Sequence, residues 1–181
     1  NLMNAAGITE KLILLARNLV GHLPGGLGHV NVVVSMLFAG ISGSSTAETA
    51  GVGGVLIPAM QKEGFDTRFT VALTACASVM GVIIPPSILM VVWGGVISVS
   101  IGGLSLAGVL PGVMIGLSLM VMVVIYAKLR HYPVHPRASS AQIVRALLQA
   151  LLPLATPAII VGGIVGGLFT PTEASVVAVA Y

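Results

Sequence analysis

The stretch "GISGSSTAETAGVGG", residues 40–54, places hydroxyls, a carboxylate and several glycines in the middle of an apolar segment. The segment around it, residues 31–60, is otherwise almost entirely apolar. Glycine and serine clusters interrupt helices, and an interrupted helix leaves backbone N–H and carbonyl groups unpaired at the interruption. Residues 40–54 therefore predict where the apolar helix is interrupted and where its unpaired polar groups lie.

Composition assigns the chain to the membrane. Of its 181 residues, 56% are hydrophobic and only 7% are charged, whereas a soluble domain carries about 25% charged residues. No charged residue occurs in residues 69–127 or in residues 146–172, and apolar runs of this length predict membrane-spanning helices. We expect an all-α polytopic membrane protein. The net charge of +3 and the aromatic content of 4% do not indicate a nucleic-acid partner.

Short polar and basic stretches divide the chain into five sections. The sequence starts without Met and stops a few turns into a helix opened by Thr170, so we expect a piece of a longer membrane protein. The predicted sections are an amphipathic or interfacial helix with a connector (1–29), a re-entrant hairpin (30–60), a broken membrane helix plus a spanning helix (61–127), a basic connector with an amphipathic helix (128–150), and membrane helices truncated at the C-terminus (151–181).

The hairpin follows from length and orientation. Residues 128–145 hold four basic residues and no acid, which predicts a cytoplasmic connector. Two plausible spans separate it from the polar loop 62–68, so both lie on one side. Each half of residues 31–60 has about 13–15 residues and is ~20–22 Å long, too short to cross ~30 Å of hydrocarbon. We expect a re-entrant hairpin with "GISGSS" at its tip; one kinked spanning helix is the alternative.

The tip carries two kinds of polar chemistry. Ser45-Thr46-Ala47-Glu48 fits a capping box, in which Ser45 caps the second half-helix and Glu48 reaches back to the Ser45 N–H. Irregular backbone at membrane depth is tolerated only against protein or a water-lined cavity. Free carbonyls and hydroxyls suit Na+, and free N–H groups at a helix start suit an anionic substrate. The candidate cation ligands here are Ser42, Gly43, Ser44, Ser45 and Thr46, and Ser44 and Ser45 are also candidates to face substrate.

A second interruption lies in "MGVIIPPSILM", residues 80–90. Pro85 and Pro86 have no N–H, so the carbonyls of Gly81 and Val82 are predicted to be free beside the Ser87 hydroxyl. An ordinary proline kink is the alternative. Two interruptions close together in sequence favour a shared site. We therefore add Gly81, Val82 and Ser87 to the candidate cation site, and Pro85 and Pro86 to the surface facing substrate.

The remaining motifs predict structure rather than chemistry. In "FTPTEA", Thr170 is a helix cap, Pro171 the first helical residue and Glu173 the acid of a capping box. The spacing of the four histidines does not indicate a transition-metal site. Residues 40–43 match the G-x-S-G motif of intramembrane serine proteases, but no histidine that could act as the base occurs in an apolar segment after Ser42. A scaffold that transports nothing would have no use for these hydroxyls beside a di-proline break.

Four blocks carry a resemblance to a known family. "HVNVVVSMLFAGISGSSTAETAGVGGVLIPAM", "GVIIPPSILMVVWG", "LAGVLPGV" and "GLFTPTEASVVAVAY" resemble, in this order, the large membrane subunit of tripartite ATP-independent periplasmic (TRAP) transporters of the DctM/SiaM type. The similarity covers nearly the whole chain, which corresponds to roughly the first half of such a subunit. The blocks are specific in combination, and no single one of them is.

The resemblance implies the first repeat of an elevator fold of the ion-transporter superfamily in a bacterial inner membrane. It implies that residues 42–46 and 81–87 together form the first Na+ site and half of the substrate site, with Na+ as coupling ion, no cofactor and no enzymatic activity. It also implies a small membrane subunit and a periplasmic solute-binding protein as partners, and organic acids such as C4-dicarboxylates, sialic acid and other sugar acids as substrates. A single-polypeptide Na+:anion symporter is the alternative, and co-purification of a small subunit separates the two.

Overall fold

Every regular element of the computed structural model, which describes residues 7–181, is helical. The all-α prediction is thereby confirmed for this range, and residues 1–6 of the predicted section 1–29 lie outside it. The elements are α1 (Ile8–Val20), α2 (Gly26–Ser42), α3 (Ser45–Lys62), α4 (Thr67–Ser78), a 3₁₀ turn (Val79–Val82), α5 (Ile88–Val96), α6 (Ile101–Arg130), α7 (Ser140–Val165) and α8 (Pro171–Ala180).

Side-chain oxygens cap the N-termini of several of these helices. Asp66 Oδ1 accepts hydrogen bonds from the backbone N–H groups of Arg68 at 2.8 Å and Phe69 at 3.1 Å, which starts α4. At the start of α8, the Glu173 N–H donates to Thr170 Oγ1 at 3.3 Å, and the Thr170 N–H donates to Glu173 Oε2 at 2.8 Å. The capping box of "FTPTEA" is thus present. Caps of this kind contribute ~0.5–2 kcal/mol each to helix stability.

Helices α2 and α3 are the two arms of an antiparallel hairpin. Near its open end, Asn31 Nδ2 of α2 lies 3.6 Å from Met60 Sδ of α3. Closer to the tip, a Cβ added at Gly51 would lie 3.3 Å from the Phe38 ring. Residues close to the tip on one arm contact residues close to the tip on the other, and residues far from it contact residues far from it, so the arms run in opposite directions and both open ends lie on one side. The alternative of a single kinked spanning helix is wrong, while the re-entrant placement in a bilayer stays a prediction.

The core forms where the hairpin packs against α1 and α4. Leu12 of α1, Val34 of α2, Leu56 of α3 and Leu73 of α4 are all essentially inaccessible to solvent. One buried polar contact crosses this core, because Asn31 Nδ2 donates to Thr74 Oγ1 of α4 at 2.7 Å. A buried hydrogen bond of fixed geometry sets the register between the hairpin and α4, since breaking it would leave unpaired polar groups inside.

Helices α6 and α7 are long and apolar enough to cross a bilayer. They have 30 and 26 residues, which corresponds to ~45 and ~39 Å at 1.5 Å per residue, against ~30 Å of hydrocarbon. Most of their apolar surface is exposed, for example at Leu110 and Leu148. The core helix of a soluble protein would be covered, so the exposed apolar surfaces are consistent with a helical membrane protein.

The connector between α6 and α7 packs against the loop between α3 and α4. The rings of Phe65 and Tyr132 stack with centroids 4.2 Å apart, and the Asp66 N–H donates to Tyr132 Oη at 3.3 Å. His135 Nε2 lies 3.1 Å from Glu63 Oε2. The open end of the hairpin and the basic connector therefore lie at the same end of the molecule, which we call the base.

Several boundaries differ from those read off the sequence. Helix α6 runs to Arg130, three residues beyond the predicted end of its section at residue 127, and the amphipathic stretch before residue 151 continues into the apolar segment after it as the single helix α7. A capping box of Ser139 and Gln142 begins α7, and the helix tolerates Pro153 and Pro157 in its interior. His29, predicted in a connector, lies within α2 and is fully buried, with Nε2 3.1 Å from the Pro24 carbonyl oxygen.

The hairpin geometry makes a labelling prediction. In a full-length protein whose native cysteines, including Cys76, are replaced by alanine, single cysteines at His22 and Lys62 should react with an impermeant maleimide from the same face of the membrane. A cysteine at Val99, in the turn between α5 and α6, should react from the opposite face. Labelling of positions 22 and 62 from opposite faces would contradict the re-entrant placement.

Candidate ion and substrate site

The structure brings the two helix interruptions together. The Ile88 N–H, at the start of α5, donates to the Gly43 carbonyl at the hairpin tip at 3.3 Å. Gly43 has a left-handed φ of 62°, and its own N–H donates to the Ala39 carbonyl at 3.3 Å. A Cβ at Gly43 would lie 2.7 Å from the Pro86 carbonyl oxygen. Glycine is thus required both for the turn and for the close approach of the two backbones.

A second close contact joins the 3₁₀ turn to the start of α3. A Cβ at Gly81 would lie 2.5 Å from Glu48 Oε2 and 3.2 Å from the Ser44 carbonyl carbon. The missing side chain therefore lets the Gly81 backbone lie directly against the tip. Within residues 7–181 the Gly81 carbonyl receives no hydrogen bond, because Pro85, four residues on, has no N–H and the Ile84 N–H, three residues on, donates to the Met80 carbonyl instead.

The cap of α3 differs from the prediction by one residue. Ser44, not Ser45, is the N-cap: it has extended backbone angles, and its Oγ accepts from the Ala47 N–H at 3.4 Å. Ser45 is the first helical residue. The acid of a capping box must stand at the third helical position, which Ala47 occupies, so Glu48 is one residue too late to reach back. The prediction that Ser45 and Glu48 form a capping box is wrong.

The Glu48 side chain turns inward instead. It is 0% exposed, and neither of its carboxylate oxygens has a hydrogen-bond partner in the described part of the chain. The buried Ser35 hydroxyl faces the carboxyl group, but no hydrogen bond of good geometry forms between them. A buried carboxyl group without donors is costly. Glu48 thus provides unsatisfied acceptor oxygens immediately behind the tip, next to Gly81.

The second interruption is better satisfied than predicted. Ser87 Oγ donates to the Val82 carbonyl oxygen at 2.8 Å and accepts from the Met90 N–H at 3.3 Å. The prediction of a free Val82 carbonyl is therefore wrong, because Ser87 supplies the donor that the prolines lack. In the same way, the Gly43 carbonyl is occupied by the Ile88 N–H. Of the two carbonyls predicted to be free, only that of Gly81 is without a partner in residues 7–181.

A cavity of about 420 Å³ opens at the junction of the interruptions. The tip and the start of α5 form one wall, and α7 and the start of α8 form the other. Thr172 and Ser175 of α8 were not predicted here, since only tertiary packing places them opposite the tip. The predicted site residues that line the cavity are Ser42, Gly43, Pro86 and Ser87. Those that lie outside its lining are Ser44, Ser45, Thr46, Gly81, Val82 and Pro85.

The chemistry of this region is that of oxygen and backbone N–H groups. Ser42 Oγ accepts from the Ser44 N–H at 3.4 Å, and the hydroxyls of Ser44 and Thr46 are 3.0 Å apart. No Lys, Arg or His lines the cavity, and within residues 7–181 no three His, Cys, Asp or Glu side chains come together as a transition-metal site requires. Neutral and anionic oxygens without nitrogen or sulfur ligands favour hard cations.

These features define a class of protein. Long exposed apolar helices indicate a helical membrane protein, and interrupted helices that meet beside a cavity are typical of secondary transporters. Comparison with known families agrees: residues 1–181 match the family described as "Tripartite ATP-independent periplasmic transporter, DctM component". The chain therefore belongs to the DctM family of TRAP transporter permeases, whose members are transporters and not enzymes.

Individual relatives support this membership. The chain is 45% identical, over 100% of its length, to the sialic acid TRAP transporter large permease protein SiaM of Vibrio cholerae, and it spans 42% of that protein. It is 44% identical to the sialic acid permease protein SiaT of Haemophilus influenzae, over 99% of this chain and 29% of that one. It is 42% identical to the C4-dicarboxylate large permease protein DctM of Pseudomonas aeruginosa, over 99% of this chain and 42% of that one. The chain thus spans less than half of these relatives.

The revised cap makes a stability prediction. Ser44→Ala should lower the free energy of unfolding, measured without Na+ in detergent micelles, by ~0.5–2 kcal/mol, because the Ala47 N–H loses its acceptor. The matched control is Ser45→Ala, which removes a hydroxyl that caps nothing and should change stability by less than ~0.5 kcal/mol. A larger loss of stability in Ser45→Ala than in Ser44→Ala would show that Ser45 is the cap.

The contact at Gly81 makes a second prediction. Gly81→Ala should separate the 3₁₀ turn from the tip or displace the Glu48 carboxylate, lowering the thermal unfolding midpoint of the full-length protein and abolishing its transport. Gly54→Ala is the matched control, because a Cβ at Gly54 meets nothing within 4 Å, and alanine favours a helix by ~0.5–1 kcal/mol over glycine. A Gly81→Ala protein that is as stable and active as the control would show that the contact is dispensable.

Proposed function

We propose that the chain is part of the large permease subunit of a Na+-coupled secondary transporter that imports organic acids. The observation that carries this proposal is the meeting of two helix interruptions beside a cavity, with the buried Glu48 carboxylate immediately behind them. Interruptions of this kind bind the coupling ion through oxygens and the anionic substrate through helix starts.

The oxygens near the tip favour Na+. The Glu48 carboxylate and the Gly81 carbonyl both lack partners within residues 7–181, and the Ser42, Ser44 and Thr46 hydroxyls can each turn an oxygen towards a cation. Na+ needs several oxygen ligands that replace its hydration shell, and a nearby carboxylate lowers the energy of a buried cation. Among the predicted ligands, Val82 and Ser87 are weaker candidates, because the Ser87 hydroxyl donates a hydrogen bond to the Val82 carbonyl.

The cavity itself favours an anion. It is lined by Ser87 and Ile88 at the start of α5 and by Pro171 and Thr172 at the start of α8. The first N–H groups of a helix have no partner within it, and the helix dipole adds partial positive charge at that end. At these two starts the N–H groups of Ile88, Met90 and Glu173 already have acceptors, so the Thr172 N–H, the hydroxyls and the two helix dipoles are what the cavity offers a carboxylate in place of a Lys or Arg side chain. The relatives named for sialic acid and C4-dicarboxylates are named for carboxylates.

Charge balance determines the coupling. Importing an anion into a cell whose interior is negative costs ~2.3 kcal/mol per charge per 100 mV. Two Na+ ions would bring in a monoanion with net positive charge, and a dianion would need at least three. We therefore expect electrogenic uptake with more than one Na+ per substrate, one of them bound between the hairpin tip and residues 81–87.

The location, the motion and the partner subunits are proposed from the family. We propose a multi-pass protein of a bacterial inner membrane that moves its substrate site by an elevator motion. It would work with the partners that characterise the family, a small membrane subunit and a periplasmic solute-binding protein. Co-purification of a small subunit with the full-length protein would support this arrangement over that of a single-polypeptide symporter.

Transport can be measured with the full-length permease, its small subunit and its binding protein in liposomes. Uptake of the bound organic acid should require an inward Na+ gradient and should increase when the interior is made negative with a K+ diffusion potential. Uptake that responds to neither would overturn the coupling mechanism.

Glu48 allows a test at one residue. Glu48→Gln should raise the Na+ concentration for half-maximal uptake by at least about tenfold, because a unit charge at ~4–8 Å contributes ~2–4 kcal/mol at an effective dielectric constant of ~20. The control Glu63→Gln, at the base, should leave the Na+ dependence unchanged. An equal Na+ dependence in both variants, with folding intact, would show that Glu48 does not act on the ion.

A further inference from the structure

A second cavity, also of about 420 Å³, lies at the base between α4 and α6. It is remote from the hairpin tip, and its lining shares no residue with the cavity described above. Two stripes of side chains at a spacing of four residues form its sides, Arg68, Ala72 and Cys76 on α4 and Met122, Tyr126 and Arg130 on α6. A spacing of four keeps each stripe on one face of its helix.

The two stripes run antiparallel, so their arginines lie at the same end. Near the start of α4, the ring of Phe69 stacks on that of Tyr126, close to the end of α6, with centroids 4.8 Å apart. From this point α4 leads away from the base and α6 leads towards it. Each stripe covers nine residues, and its first and last residues are ~12 Å apart along the helix axis. The cavity is therefore amphiphilic, with two guanidinium groups at the base and an apolar floor that extends towards the middle of the membrane.

We propose that this cavity binds an anionic phospholipid of the leaflet at the base. The guanidinium groups of Arg68 and Arg130 bind the phosphate, and the first part of an acyl chain lies along Ala72, Cys76 and Met122. Arginine presents several N–H donors in a planar fork that matches phosphate oxygens. Tyrosines at the membrane interface place their rings at headgroup level.

The charge at the base supports this occupant. Asp66 also lines the cavity, but its Oδ1 accepts two backbone N–H groups of α4, and two arginines outweigh its single charge. Tyr132 accepts the Asp66 N–H, which leaves the phenolic proton of Tyr132 free to donate to a phosphate oxygen. The basic connector places this end at the cytoplasmic leaflet, where anionic lipids attract Lys and Arg.

The apolar end of the cavity argues against the other occupants. A free phosphate ion would use the arginines and leave the floor of Ala72, Cys76 and Met122 without function. A packed protein helix would have to bury two guanidinium groups, which is costly without paired acids. Cys76 is exposed on the surface of α4, so the groove is open on the side from which a lipid chain can enter. The proposal is independent of the Na+ site and of the transported substrate.

Lipid binding to the full-length permease complex in detergent tests the proposal. Native mass spectrometry should show retention of phosphatidylglycerol in preference to phosphatidylcholine. The double variant Arg68→Gln/Arg130→Gln should weaken phosphatidylglycerol binding by at least about tenfold. The control Arg137→Gln/Arg145→Gln removes the same charge from the same end but not from the cavity, and it should bind as the unmodified protein does. An equal loss in both double variants would overturn the site, because it would reflect surface charge alone.

A second variant separates a lipid from a free anion. Cys76→Phe fills the apolar end of the cavity and keeps both arginines. It should therefore reduce the binding of long-chain phosphatidylglycerol, while glycerol phosphate should displace the phosphatidylglycerol that still binds at the same concentration as in the unmodified protein. Inorganic phosphate that displaces phosphatidylglycerol fully at equal concentration would overturn the lipid proposal in favour of an anion site. Absence of any preference for phosphatidylglycerol, with Cys76 unreactive towards a maleimide, would overturn it by showing that another part of the complex covers the cavity.

Discussion

The contact between the Gly43 carbonyl and the Ile88 N–H is the interaction on which the rest of the site depends. Each interruption removes backbone hydrogen bonds, and an unpaired backbone group that is shielded from water costs several kcal/mol. Ser87 satisfies the Val82 carbonyl within its own interruption, but the Gly43 carbonyl and the Ile88 N–H find their partners only in each other. This bond stabilises the two interruptions together, and the Gly81 carbonyl and the Glu48 carboxylate remain unpaired near their junction within residues 7–181.

Two glycines make this junction possible, and they do so for different reasons. Gly43 is needed for its left-handed φ as well as for its closeness to Pro86, whereas Gly81 is needed only because the Glu48 carboxylate and the Ser44 backbone occupy the space of a side chain. The buried bond between Asn31 and Thr74 then fixes the hairpin against α4. A rigid support of this kind holds ligands in place more precisely than a loop would.

The sequence was sufficient for the all-α class and for the antiparallel pair of helices, but not for the details of the site. Composition predicted the membrane class, and half-helix length predicted the hairpin, because both depend on average properties over many residues. The capping motif failed by one residue: Ser44 and Ser45 are chemically identical, and only the backbone angles decide which of them precedes the helix. The Val82 carbonyl was predicted free because its partner, the Ser87 hydroxyl, is set by a turn that spacing alone does not specify.

That one-residue shift has chemical consequences. With Ser45 as the cap, the Glu48 carboxylate would accept a hydrogen bond from a backbone N–H and would play only a structural part. With Ser44 as the cap, Glu48 stands one position further along α3, which rotates its side chain by about 100° around the helix axis and directs it against Gly81. Neither carboxylate oxygen has a hydrogen-bond partner there in residues 7–181, so the position leaves acceptor oxygens for a cation such as the proposed coupling ion. Under that proposal the bound cation would offset the cost of burying a carboxylate, and an empty site would be the less favourable state.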